Sequence, residues 1–222
     1  MSVFVLLRRR FVLGLVALGV MVSALIFGGT PGRAADQERE MIGTVTRLQG
    51  EGFAFLDQDQ RPLAVNSPLY RLDTVGTGAQ ARMEITLIDG AVITLGAEAR
   101  MLLSDLLVTQ SPQPRGPVLS LIRGAFALAS PKTKGADIAT PVATIGIRGT
   151  QVWGGSLDNA VDILLLEGKI EVFNAQGRVF LDQAGQGTAV PTPGQAPNAA
   201  SYWPDDKVRR AVATVTFDAD LK

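Results

Sequence analysis

The charged side chain best placed for recognition chemistry is Arg148, set among glycines in Thr140-Pro141-Val142-Ala143-Thr144-Ile145-Gly146-Ile147-Arg148-Gly149-Thr150. A guanidinium is planar, always charged and presents its donors as a fork. Beside glycines it could hold a carboxylate or phosphate from a ligand or partner. The same fork could instead turn back onto loop carbonyls or onto Glu167, clamping the turn that Gly149 permits. Trp153, just behind, reads as a core or rim aromatic, or else joins Tyr202 and Trp203 as stacking surfaces for a glycan.

Catalytic and cofactor chemistry has little to work with. The chain contains no His and no Cys, which removes imidazole acid–base catalysis, thiol nucleophiles, disulfides and the usual zinc or haem ligands. Val75-Gly76-Thr77-Gly78-Ala79-Gln80-Ala81 fits a relaxed dinucleotide fingerprint. That fingerprint needs a helix behind it to meet the pyrophosphate, and an alternating strand follows here. Asp57 and Asp59 could approach calcium but lack the glycine and distal Glu of a calcium loop, so they read as solvated turn carboxylates. No P-loop and no G-x-S-x-G motif occurs, and no carboxylate pair stands out for glycoside hydrolysis. The expectation is a non-enzyme without cofactor or metal.

The elements that must position Arg148 are β-prone. The motif run and its partner, Val161 to Val172, are rich in Val, Ile, Leu and Thr. Thr140-Pro141 ends one strand and starts another, because proline has no N–H for a ladder. Gly146 and Gly149 suggest a bulge or close backbone approach, and Glu167-Gly168 a tight turn. Upstream, Ile42–Leu48 and Phe53–Leu56 read as short strands, Asp57–Pro62 as a turn, and Leu69–Val75 as a further strand. Ala81 to Leu87 alternates with apolar residues at odd positions, and Asp89-Gly90 closes a hairpin. Met83, Ile85, Leu87 and Ile93 are the expected core. Gln110–Pro117, with three prolines, is a surface linker. Leu87–Ile93, Leu121–Ala127 and Leu165–Glu171 share one pattern of two aliphatics, a charge, glycine and a later apolar residue. That pattern is either a true repeat or a recurring β-turn signature.

The fold expected is all-β, a twisted β-roll or solenoid-like sandwich, over residues 42–190. Pro191, Pro193, Gly194 and Pro197 mark a linker, 191–203. Val208, Ala211, Val212 and Val215 then fall at helical spacing, so 204–222 reads as a short amphipathic helix and tail that dock on the β body through Trp203 and the valines.

Arg8-Arg9-Arg10 followed by the uncharged run Phe11–Phe27 and small residues at Ala34-Ala35 reads as an export signal, 1–34, with a linker over 35–41. An uncleaved inner-membrane anchor facing the periplasm is the alternative. The Sec route is expected rather than the twin-arginine one. Of the 21 basic residues, Arg8, Arg9, Arg10 and Arg33 precede residue 36, and none of the 21 acidic residues does. The remainder is therefore acidic, and without basic runs it is no candidate for nucleic acid.

Leu72-Asp73-Thr74-Val75-Gly76-Thr77, Asp89–Leu95, Leu121–Phe126, Thr140–Thr150 and Leu166–Val172, in that order, resemble the FecR-type domain of iron-responsive anti-sigma regulators and standalone envelope proteins. The resemblance implies an all-β roll and a non-catalytic role in signalling or protein interaction in the periplasm. Those regulators carry a cytoplasmic anti-sigma region ahead of their membrane span. Here only Met1–Arg10 precede the apolar run, so the chain reads as a standalone form whose partner is an unidentified envelope protein or, alternatively, a glycan. Residues expected to shape the motif are Thr140, Pro141, Gly146, Arg148, Gly149, Thr150, Glu167 and Gly168, with Arg148 and Trp153 as binding candidates.

Overall fold

Alternation of apolar and polar residues, broken by turns every few positions, yields eighteen strands in the computed structural model, which describes residues 39–57, 59–104, 118–131 and 135–221. The expected export segment and the Gln110–Pro117 linker lie outside the described residues. The strands are β1 (Met41–Gln49), β2 (Gly52–Leu56), β3 (Asp59–Leu63), β4 (Pro68–Tyr70), β5 (Thr74–Thr77), β6 (Arg82–Leu87), β7 (Val92–Leu95), β8 (Arg100–Ser104) and β9 (Val118–Arg123). They continue as β10 (Phe126–Ala129), β11 (Gly135–Ala139), β12 (Thr144–Arg148), β13 (Gln151–Gly155), β14 (Val161–Glu167), β15 (Ile170–Asn174), β16 (Gly177–Leu181), β17 (Gln186–Val190) and β18 (Ser201–Tyr202). One helix, α1 (Asp205–Ala213), and a 3-10 turn, Asp218–Leu221, complete the chain.

The strands form two sheets of nine. The first runs β4-β1-β6-β7-β10-β13-β14-β17-β18 and the second β3-β2-β5-β8-β9-β11-β12-β15-β16. Neighbours are antiparallel except β9 and β11. Both sheets grow in nearly the order of the sequence, because the chain crosses from one to the other after every one or two strands. This is an all-β sandwich without a closed barrel.

Between the sheets lies one apolar core. Val45, Met83, Ile85, Leu87, Ile93, Phe126, Val152 and Ile163 enter it from the first sheet, and Val75, Met101, Ile138, Ile145 and Val172 from the second. The four expected core residues, Met83, Ile85, Leu87 and Ile93, are all buried. Burying each such side chain contributes about 1.5–3 kcal/mol.

The three similar turns prove to be conformationally alike and topologically different. Gly90, Gly124 and Gly168 have φ of +88°, +88° and +90°. Gly90 closes an in-sheet hairpin between β6 and β7, whereas Gly124 and Gly168 carry the chain from one sheet to the other. Two strand boundaries also differ from expectation. Leu69–Val75 is two strands, β4 and β5, separated by a turn with Leu72 at φ +69°. Asp59–Pro62, expected as part of the turn Asp57–Pro62, belongs instead to the edge strand β3, a position where Pro62 withholds no hydrogen bond from a neighbour.

The outer face of the first sheet is covered by the C-terminus. Trp203 lies over Gly187, where a Cβ would come within 2.3 Å of its ring. Ala211 and Val215 of the following segment pack on Trp153, Leu164 and Ala125. Val212, expected on the docking face, is exposed instead. Further on, Phe217 is buried beneath Arg47, whose guanidinium lies 4.0 Å from its ring centroid and bonds Asp220 at 2.8 Å. The segment expected as linker thus contributes β18, and residues 201–221 form a strap across the sheet. Among the described residues no helix is long and apolar enough to cross a membrane.

Candidate functional site

Thr140 shapes the β11–β12 hairpin. Its hydroxyl donates to the Ala143 carbonyl at 2.8 Å and accepts the Ala143 N–H at 3.0 Å, while Pro141 occupies the turn where no ladder bond is needed. Gly146 lies in plain β12, paired in register with Asp137 and Glu171 and at ordinary distance from its neighbours. The expected bulge is not there; a register shift occurs later, between Gln151 and Val152 against β14. Gly149 does adopt positive φ, +61°. Gly168 packs directly on it, since a Cβ there would stand 2.8 Å from both the Gly149 carbonyl oxygen and Thr150 Cγ2. Two crossings between the sheets therefore meet back to back. Thr150 is buried; its N–H donates to Ser130 Oγ, its carbonyl accepts the Ser130 N–H, and its own hydroxyl has no partner among the described residues.

Arg148 does not act as the expected clamp. Ile145 and Ile147 point into the core, so Arg148 stands with Thr144 and Gly146 on the outer face of the second sheet, exposed. Glu167 instead accepts from Gln151 Nε2 at 2.9 Å. Among the described residues the Arg148 guanidinium has neither hydrogen bond nor carboxylate.

Trp153 cannot serve as a binding platform. Its side chain is fully buried, donates to Thr214 Oγ1 at 2.9 Å and meets Trp203 edge-on at 6.1 Å. Tyr202 is exposed with its hydroxyl on Gln183, and Trp203 is half-buried. The three aromatics share no exposed face, which removes the stacking surface a glycan would need.

The outer face of the second sheet is of a different kind. Phe53 and Phe55 pack edge-on at 5.1 Å, and the Arg100 guanidinium lies 4.9 Å from the Phe55 centroid. Gly76 makes room for the Phe53 ring, which a Cβ there would approach to 2.3 Å. Ile122 is 49% exposed, and Phe180 on β16 is 61% exposed. This mixture of aromatic, aliphatic and arginine side chains is the composition of protein-binding surfaces.

Sequence reasoning missed a second feature beside this face. Asp73 is wholly buried, receives Arg39 Nη2 at 2.8 Å, the Arg61 guanidinium and the Tyr70 N–H, and both arginines lie against the Tyr70 ring. Its signal was a lone acid inside the apolar stretch Leu69–Val75. Its arginine partners, 34 and 12 residues away, gave none.

Residues 73–171, which run from Asp73 through both glycine crossings, match the family model described as FecR protein. This stretch is a FecR domain. The FecR domain thus takes in the whole Arg148 motif, Phe173 and β16 lying just beyond it. Two crystal structures of a candidate anti-sigma factor from Parabacteroides distasonis are similar, at 17% and 18% identity with TM-scores of 0.49 and 0.48. Each comparison covers 61% of this chain and 62% of the other, so the chain spans less than two thirds of those structures. No curated protein matches the sequence.

Proposed function

We propose that this chain is an exported, non-catalytic FecR-domain module that senses or signals in the bacterial envelope by binding a protein on the outer face of its second sheet. The observation that carries the reading is an asymmetry. One sheet face is covered by the chain's own C-terminus, while the other presents an unpaired Arg148 and the half-exposed Phe53, Phe55 and Ile122. A guanidinium fork beside apolar side chains suits a partner segment that offers a carboxylate flanked by apolar residues. Export to the periplasm is supported by Arg8–Arg10, the apolar run and Ala34; retention as an inner-membrane anchor would still face the module the same way.

A photo-crosslinking residue placed at Ile122 or Arg148, with Val212 on the strap as control, tests the face in intact cells. A discrete adduct from both test positions and none from Val212 is expected. Adducts equal at all three positions, or none from the sheet, would overturn it. Mass spectrometry of the N-terminus tests export, with a start near Ala35 expected and an intact Met1 in the membrane fraction against cleavage.

A further inference from the structure

Each sheet of the sandwich has two edges, and a bare edge invites another strand. Three of the four are blunted. β3 carries Pro62, β4 is short and opens on Pro68, and β18 has two residues and runs into Trp203-Pro204. The fourth, β16, has five residues and no proline. Among the described residues its backbone bonds only to β15. Ala196 lies beside Gly177 at its start, leaving the edge clear from Arg178 onward.

The sequence of that clear stretch is Arg178-Val179-Phe180-Leu181-Asp182, which reads as cation, apolar, aromatic, apolar, anion. Such an order is self-complementary when two copies run antiparallel. Centred on Phe180, the register sets Phe180 against Phe180 of the second copy, Val179 against its Leu181, and Arg178 against its Asp182, twice over by symmetry. Facing agrees with this register. Leu181 is buried and Val179 packs on the core, whereas Arg178 and Phe180 are exposed on the outer side, and Asp182, one residue past the end of the strand, is exposed as well. Arg178 already holds Glu171 on β15 at 3.0 Å with much of its side chain in water, so its remaining donors are free to meet a second carboxylate. Asp182 is steadied through its N–H, which donates to Gln186 Oε1 at 2.9 Å.

We infer that β16 is a self-association edge: two copies of this chain pair antiparallel through Arg178–Asp182, joining their second sheets into one continuous sheet across a two-fold axis. An isologous contact of this kind closes on itself and does not propagate. It covers Phe180, the large apolar side chain exposed on that edge. It uses the rim of the sheet and, of the apolar side chains on the outer face, takes only Phe180, leaving Arg148, Phe53, Phe55 and Ile122 of the binding face proposed above uncovered.

Sedimentation velocity on the full chain, with circular dichroism to confirm folding, tests the edge by charge exchange. Asp182→Arg sets two arginines together at both ends of the pair, and Arg178→Asp sets two aspartates together. Each should weaken dimerisation about tenfold or more, since facing like charges are unfavourable where opposite ones were favourable. Mixed in equal amounts, the two variants restore both attractive contacts in a heterodimer, and the dimer should return. Asp182→Arg is the cleaner single change because Arg178→Asp also loses Glu171. A wild-type chain that stays monomeric, a dimer that survives Asp182→Arg, or a mixture of folded variants that remains monomeric would each overturn the inference.

Discussion

Gly168 combines two constraints that Gly149, Arg148 and Thr150 let us separate. At φ +90° any L side chain is strained, and a Cβ there also meets the Gly149 carbonyl and Thr150 Cγ2 at 2.8 Å. Gly149, at φ +61°, is limited by backbone conformation, so Gly149→Val should cost about 1–3 kcal/mol. Gly168→Val should cost more, because backbone is the obstacle and cannot rotate away. Arg148→Ala, at an exposed and unpartnered guanidinium, should change stability by no more than about 0.5 kcal/mol. Thr150→Val should melt at or above wild type, since it removes a buried hydroxyl without a partner and keeps the branched shape. Urea titrations of the four variants check the order. An Arg148→Ala protein as unstable as Gly149→Val would show that the guanidinium holds the turn after all.

Along the strap, two neighbouring cations look alike in sequence and differ in what they meet. Lys207 bonds Asp162, whose side chain is 1% exposed, at 2.8 Å and lies 4.3 Å from the Trp203 ring centroid. Arg210 pairs with the exposed Asp158 at 3.0 Å. That hydrogen bond holds the Asp158 carboxyl below the ordinary carboxylate range, with Lys207 adding to it. A depressed pKa stabilises the folded state above the unfolded value and is lost as pH falls through the folded one, so this exposed contribution is present at neutral pH and fades only in acid. Lys207→Met should cost about 3 kcal/mol, since it leaves Asp162 buried with, among the described residues, only the Leu157 N–H bonded to it and Arg210 as a longer-range positive charge. Arg210→Ala should leave the melt near wild type, and equal losses from both would refute the distinction. What the sequence could convey divides along similar lines. Arg82–Leu87 announced its buried face because period-two alternation survives any tertiary setting, and the helical spacing from Val208 marked α1 and its buried Ala211 but not the exposure of Val212. The glycine of Leu-Ile-Arg-Gly or Leu-Leu-Glu-Gly encodes a positive φ, but not whether the next strand stays in its sheet. That choice belongs to the layer waiting to receive it. Arg148 drew notice through its glycines, yet no local pattern records that it stands on the outer face of the second sheet while Glu167, on the first, turns to Gln151. Phe53 and Phe55 looked like ordinary strand residues because partial exposure of one sheet face is set by what fails to cover it.

For the molecule as a whole, the crossings decide how it comes apart. The chain changes sheets at Gly50, Gly124 and Gly168 among other points, so neither sheet is a continuous piece of sequence that could melt while the other persists. Among the described residues the strap is the segment that could detach separately, being joined to the body by side chains, by the short β17–β18 ladder and by the Trp203 N–H on the Gly185 carbonyl. Its attachment is nevertheless substantial. Trp203, Ala211, Val215 and Phe217 shield apolar surface on the first sheet, and Trp153, with no exposed surface, depends on them. Lifting the strap would bare Trp153 and Leu164 together, at about 1.5–3 kcal/mol for each side chain. That cost should keep the strap docked until the sandwich yields. Both tryptophans, Trp153 and Trp203, sit at this joint, so intrinsic fluorescence reports the strap, while far-UV circular dichroism reports the two sheets. The expected outcome in urea is a single transition with the two signals superimposed, as for a cooperative unit. Refolding should take milliseconds to seconds, because nine of the sixteen strand pairs among the described residues join strands that are not consecutive in sequence and must wait for a sheet crossing. A fluorescence change that precedes the loss of sheet signal would mean that the C-terminus opens on its own, and that the first sheet's outer face is available in the native protein as well.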